Sequence, residues 1–170
     1  MSGDAGVGPG FPRPGSAVAQ LIEPGPDPGR TRSRLRQFVF PWLKKYAELA
    51  HDHGKMFWLH SCGNLFQGGV IEDLLQDVQI DAFHSFQDII MPVADFKARY
   101  GDRVAILGGV DMDKLARMDE TSLREYIRGI LKQCVPGGRF ALGSGNGIAN
   151  YIPLHNYLTM LDESRQYICD

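Results

Sequence analysis

Four short apolar stretches begin near residues 56, 80, 104 and 139, and each leads into a segment of helical periodicity. This recurrence limits the possible architectures more than any other property of the chain. The separations of 24, 24 and 35 residues are long enough for a helix to cross over between parallel strands. Met56-Phe57-Trp58-Leu59-His60 reads as the first strand, preceded by a helix opening at Pro41 and closing at Gly54. In that helix Trp42, Tyr46, Leu49 and Ala50 share a face, and Trp42, Trp58, Phe57 and Phe83 are the first core candidates. Ile80-Asp81-Ala82-Phe83-His84, Val104-Ala105-Ile106-Leu107 and Arg139-Phe140-Ala141-Leu142 supply the next strands. The last helix carries Leu154, Leu158 and Leu161. The expectation is an α/β fold of about four βα units with parallel strands.

Seven Gly and six Pro crowd the first 30 residues, a density that suits neither a helix interior nor a central strand. A disordered Gly/Pro-rich and basic leader is therefore expected over 1–37, with order beginning near Phe38 and one domain over 38–170. Arg30, Arg32, Arg34 and Arg36 read as a solvated linker in preference to a phosphate site. A net charge of −2 and the lack of aromatic-basic alternation argue against a nucleic-acid surface. No apolar run reaches the roughly 20 residues that span a bilayer, and no secretory signal opens the chain. The cysteines at 62, 134 and 169 form no dense disulfide framework. A cytoplasmic protein without membrane partners is expected.

Periodicity does not say whether the sheet closes. A doubly wound open sheet and half of a TIM barrel both satisfy it. Half a barrel leaves two open edges, which self-association or a complementary half-barrel would protect.

His60 and Cys62 flank the C-terminal end of a predicted strand, where barrels gather their reactive groups. Two residues apart, they point to one side, and imidazole and thiolate are both good zinc ligands. His84 and Asp111 lie at the ends of neighbouring strands and either complete a mixed site or form a polar floor. The turn Gly143-Ser144-Gly145-Asn146-Gly147 can gather backbone N–H groups into a cradle for carboxylate or phosphate, or serve only as a tight strand-to-helix turn. His51 and His53 read as a helix terminus, and His155 as a surface residue.

The strand-end segments His60-Ser61-Cys62-Gly63-Asn64, Asp81-Ala82-Phe83-His84-Ser85-Phe86-Gln87 and Gly108-Gly109-Val110-Asp111, with the tail from Gly143 to Ile148, resemble the uroporphyrinogen decarboxylase family. The resemblance runs over about residues 38 to 168 and implies the C-terminal half of a TIM (β/α)8 barrel. It implies an origin in an enzyme that decarboxylates acidic tetrapyrrole side chains without metal or organic cofactor. His84 and Asp111 would assist there as catalytic groups, and Gly143, Ser144, Gly145 and Asn146 would meet the anionic substrate. The family's aspartate and arginines from the N-terminal half have no counterpart in this sequence. The superfamily also includes corrinoid-dependent methyltransferases, whose His-x-Cys pair and distant cysteine hold zinc. In that alternative His60 and Cys62 are metal ligands and a corrinoid protein is the partner. The distant cysteine would lie between 143 and 147, where this chain has none. A noncatalytic half-barrel binding subunit is the third expectation.

Overall fold

The computed structural model describes residues 17–21 and 28–169. Strands β1 (Ala17–Leu21), β2 (Phe57–Ser61), β3 (Ala82–His84), β4 (Ala105–Val110) and β5 (Phe140–Ser144) form one parallel sheet in the order β1-β2-β3-β4-β5. The helices are α1 (Pro28–Arg34), α2 (Phe40–Asp52), α3 (Val70–Asp73), α4 (Val93–Tyr100), α5 (Met112–Arg117), α6 (Glu120–Cys134) and α7 (Leu154–Cys169). Single π-helical turns join α1 to α2 and extend α3 to Val78.

Strand order decides between the two architectures that periodicity leaves open. A doubly wound sheet reverses its order at a switch point. Here each new strand adds to the same side of the last, and crossovers of the usual right hand carry the connecting helices to one face of such a sheet. The result is an arc of a (β/α)8 barrel.

Each of the four expected strands lies within two residues of its expected start. In β2, Phe57, Leu59 and Ser61 are buried while Trp58 and His60 are half-buried, the period-two signature of a strand with unlike faces. Phe57 and Leu59 join a core that includes Leu43, Leu74, Ile106 and Leu123. Phe96 of α4 sits among Phe66, Phe83, Phe86 and Tyr100, with ring centroids between 4.9 and 5.7 Å away. Among the described residues no helix is long and apolar enough to cross a membrane.

Three expectations need correction. Order does not wait for Phe38. Ala17–Leu21, a run free of Gly and Pro, pairs in parallel with Phe57–Ser61, and Pro28 opens α1 at a position where its missing N–H is harmless. Arg32 and Arg36 are not linker charges, because both grip the Asp73 carboxylate at 2.6 to 2.8 Å. Asp73 is only 3% exposed, and hydrogen bonds from Arg32, with further help from Arg36, hold its pKa down to about 2. The remaining expectations for the leader, at 1–16 and 22–27, lie outside the described residues.

The buried face of α2 also differs from the expected one. Phe40, Leu43 and Ala47 pack inward, while Trp42 is 58% exposed and Tyr46 and Leu49 are exposed beside it. Two stripes of apolar residues share the same helical spacing. The inner one carries the small Ala47, which lets the helix backbone approach its neighbours closely, and Lys45 lies over the outer Trp42 ring at 4.5 Å. On α7, Leu154, Leu158 and Leu161 are exposed, while Asn156, Thr159, Met160 and Glu163 are buried. Most of its inward polar atoms are paired, although Asn156 Oδ1 has no hydrogen-bond partner among the described residues. The Asn156 amide donates to the carbonyls of Leu115 and Met118, and Glu163 accepts from Arg124 and Arg128.

Candidate functional site

Parallel register places His60 of β2 directly opposite His84 of β3. Their Nδ1 atoms are 2.6 Å apart, and the ring centroids lie 4.8 Å apart at an angle of 34°. Cys62, two residues beyond His60, brings its Sγ to 3.6 Å from His60 Nε2. The Asn146 amide Nδ2 donates to the same sulfur at 3.2 Å, and Ser85 Oγ stands 3.9 Å from it. The Asn146 orientation is fixed, since its Oδ1 accepts the Gly147 N–H at 2.8 Å. Strand ends distant in sequence thus converge on one thiol.

On the side away from His60, His84 is anchored through a slot in β4. Its Nε2 donates to the Ser144 carbonyl of β5 at 3.0 Å, across the intervening strand. A Cβ on Gly108 would stand 2.6 Å from that carbonyl oxygen and 2.7 Å from His84 Cδ2, at a backbone φ of +96°. Only glycine leaves room for the imidazole and accepts that conformation.

Hydrogen-bond polarity orders the protons in the neutral pair. A carbonyl only accepts, so His84 Nε2 carries hydrogen and His84 Nδ1 is the acceptor. His60 Nδ1 is then the donor in the Nδ1 to Nδ1 contact, and His60 Nε2 turns its lone pair toward Cys62. Burial, with a smaller push from the neighbouring His84, lowers the His60 pKa and favours this neutral ring.

Asp111 is not part of the cluster. Its carboxylate accepts the backbone N–H groups of Asp88, Asp113 and Lys114 at 2.8 to 3.2 Å, which makes it the cap of α5. Among the described residues no hydrogen bond joins it to His60, His84 or Cys62. The expected partnership of His84 with Asp111 therefore separates into a sheet-spanning imidazole and a helix cap. Sequence reasoning also missed the network beside that cap, in which Asp88 accepts from Lys114 Nζ at 2.7 Å and from the Tyr126 hydroxyl at 2.8 Å. Burial raises the Tyr126 pKa far above the ordinary phenol range, so the hydroxyl stays a donor. A cleft of about 430 Å³ opens next to it, lined by Gln87, Ile89, Asp111, Met112, Arg117 and Tyr151.

The turn at 143–147 is also engaged differently from the expected anion cradle. The Gly145 N–H donates to Val110, the Gly145 carbonyl accepts from Phe86, and the Ser144 hydroxyl donates to the Asn146 carbonyl. A Cβ at Gly145 would collide with the Phe86 carbonyl oxygen. These donors, expected with Gly143 to meet substrate, stitch the turn into the ends of β3 and β4. The remaining candidates fall where the sequence places them. His51 bonds Asp81, His53 bonds the Leu49 carbonyl at the end of α2, and His155 is exposed. Cys134 is buried in α6 with its pKa pushed up to about 11 by desolvation.

His60 Nε2 and Cys62 Sγ are the two donors suited to a metal. Among the described residues no group of three or more His, Cys, Asp or Glu side chains is placed to hold one. A catalytic zinc site generally draws three ligands from protein. His60 and Cys62 thus offer two of the three ligands such a site draws from His, Cys, Asp and Glu among the described residues.

Comparisons with known proteins agree with this architecture. A methyltransferase from Methanosarcina mazei superposes with a TM-score of 0.67 at 22% sequence identity, over 91% of this chain and 43% of that chain. The chain thus spans less than half the length of that structure. No curated protein matches the chain. The family model for uroporphyrinogen decarboxylase (URO-D) matches residues 31–167, well over half of the sequence. With its partial-barrel fold and strand-end motifs in the family's order, the chain belongs to the uroporphyrinogen decarboxylase family.

Proposed function

We propose that the chain supplies the zinc-holding wall of a methyl-transfer barrel, in which a thiol substrate attacks a methyl group carried by a corrinoid. The distance between His60 Nε2 and Cys62 Sγ carries this reading. Nitrogen at about 2.0–2.1 Å and sulfur at about 2.3 Å from one tetrahedral zinc stand about 3.6 Å apart. The observed separation is 3.6 Å. Likeness in fold to a methyltransferase supports the same reading.

His60 Nε2 and Cys62 Sγ would hold the ion, which when bound supplies the Lewis acidity that favours thiolate over thiol. Asn146 donates its amide hydrogen to the Cys62 sulfur and draws off part of its negative charge. Gly145, tied to both Val110 and Phe86, keeps Asn146 at that post. In the overall transfer an S–H and a carbon–cobalt bond give way to an S–CH3 bond. The proton leaves to solvent and the electron pair stays on cobalt.

Metal analysis of the purified chain tests the proposal. One zinc per chain is expected, lost in Cys62→Ala and kept in Cys134→Ala. Wild-type protein that takes up no zinc, or uptake indifferent to Cys62→Ala, overturns it. A second reading draws on the turn at 143–147, which carries no cysteine to serve as a third thiolate, and on the family's own description. It is metal-free decarboxylation of an acidic tetrapyrrole. Asp111, occupied as a helix cap, is poorly placed to supply the proton. Carbon dioxide released from such a substrate by zinc-free protein would select this reading.

A further inference from the structure

We infer that His84 is a positioning residue, anchored through the Gly108 slot to the Ser144 carbonyl, that holds His60 in the tautomer whose Nε2 lone pair faces Cys62. The inference stands on three linked observations. His84 Nε2 meets an atom that can only accept. His84 Nδ1 and His60 Nδ1 are close enough that one must donate to the other. Gly108 carries no side chain at the one place where a Cβ would meet both the His84 ring and the Ser144 oxygen. Polarity then runs in one direction, from the β5 carbonyl through two imidazoles to the thiol.

This arrangement gives β5 a role at a site whose donors both lie on or just beyond β2. A metal-ligating histidine commonly gives its second ring N–H to a carboxylate or carbonyl, which fixes both tautomer and ring direction. Here the acceptor is a second histidine, itself fixed by the last strand. No described hydrogen bond joins His84 to Cys62, and it acts through His60. The consequence for metal binding rests on the reading of His60 and Cys62 as ligands, whereas the tautomer assignment does not.

Two measurements test it. Long-range 1H–15N correlation spectra of the metal-free protein, at a pH where both rings are neutral, report which His60 nitrogen bears hydrogen. Hydrogen on Nδ1 is expected in the wild type. Hydrogen on Nε2 overturns the inference, and this result needs no variant to fold. In His84→Leu the His60 proton should redistribute toward Nε2 and zinc affinity should fall about 10- to 100-fold. His84→Gln, which retains an acceptor oxygen for His60, should recover much of both signals. A folded His84→Leu protein with unchanged tautomer and unchanged affinity overturns the inference. Failure of the zinc reading looks different, because the wild type then binds no zinc while His60 still shows hydrogen on Nδ1.

Discussion

At the scale of single residues, the site depends on atoms that are missing as much as on those present. Gly108→Ala adds one methyl between His84 and Ser144 at a positive φ. It should weaken zinc binding about 10-fold or more with Cys62, His60 and Asn146 all intact, as measured by competition with a chromogenic chelator. Asp111 gives the opposite pattern. Because its carboxylate caps α5 and holds the Asp88 N–H, Asp111→Ala should destabilise the fold by about 1–2 kcal/mol in urea denaturation. Zinc uptake should be unchanged. The position of Asp111 after Gly108-Gly109-Val110 marked it as a strand-end residue, but capping and catalysis draw on the same carboxylate chemistry. The bonding partners become visible only when α5 turns back over it. His60 and Cys62, by contrast, were legible from spacing alone, since strand geometry puts residues two apart on one side.

At the scale of elements, a stretch that composition assigns to linker proves to be clamped. Asp73 ionises at about 2 in the fold against an ordinary 3.8, so the fold binds this proton less tightly than the unfolded chain does. The clamp contribution is therefore fully present above about pH 4 and is lost as pH falls through about 2. Urea midpoints measured between pH 6 and 2.5 should decline less steeply in Asp73→Asn than in the wild type. A second comparison tests the face of α2. Leu43→Ala should cost roughly 2–4 kcal/mol because Leu43 is buried, whereas Trp42→Ala should stay within about 1 kcal/mol. The spacing of Trp42, Tyr46 and Leu49 was as regular as that of Phe40, Leu43 and Ala47. Choosing between the stripes requires knowing what packs on the helix. On α7 the ambiguity is sharper, since Asn156 and Glu163 look like surface residues until their partners on neighbouring elements are seen.

At the scale of the whole molecule, strand order is what turned a repeating pattern into a barrel arc. Strand number and spacing could be read along the chain, but neighbour relations are long-range contacts that no local signal encodes. Ala17–Leu21 was hidden by the glycines and prolines around it, although the five residues themselves contain neither. The outer edge of β5 has no strand partner among the described residues. Backbone amides of β5 should accordingly exchange with deuterium much faster than those of β3, which is paired on both sides. Equal protection of the two strands would mean that another chain covers the edge.

The path of His84 across β4 makes the outermost strand a chemical partner of a strand three places away. Any event that loosens the anchoring at Ser144, including a change of neighbour along that rim, would be felt as a loss of proton order at a sulfur it never touches. The Ser144 end of β5 and the proton on His60 are thereby linked across the sheet, so a disturbance at one should register at the other.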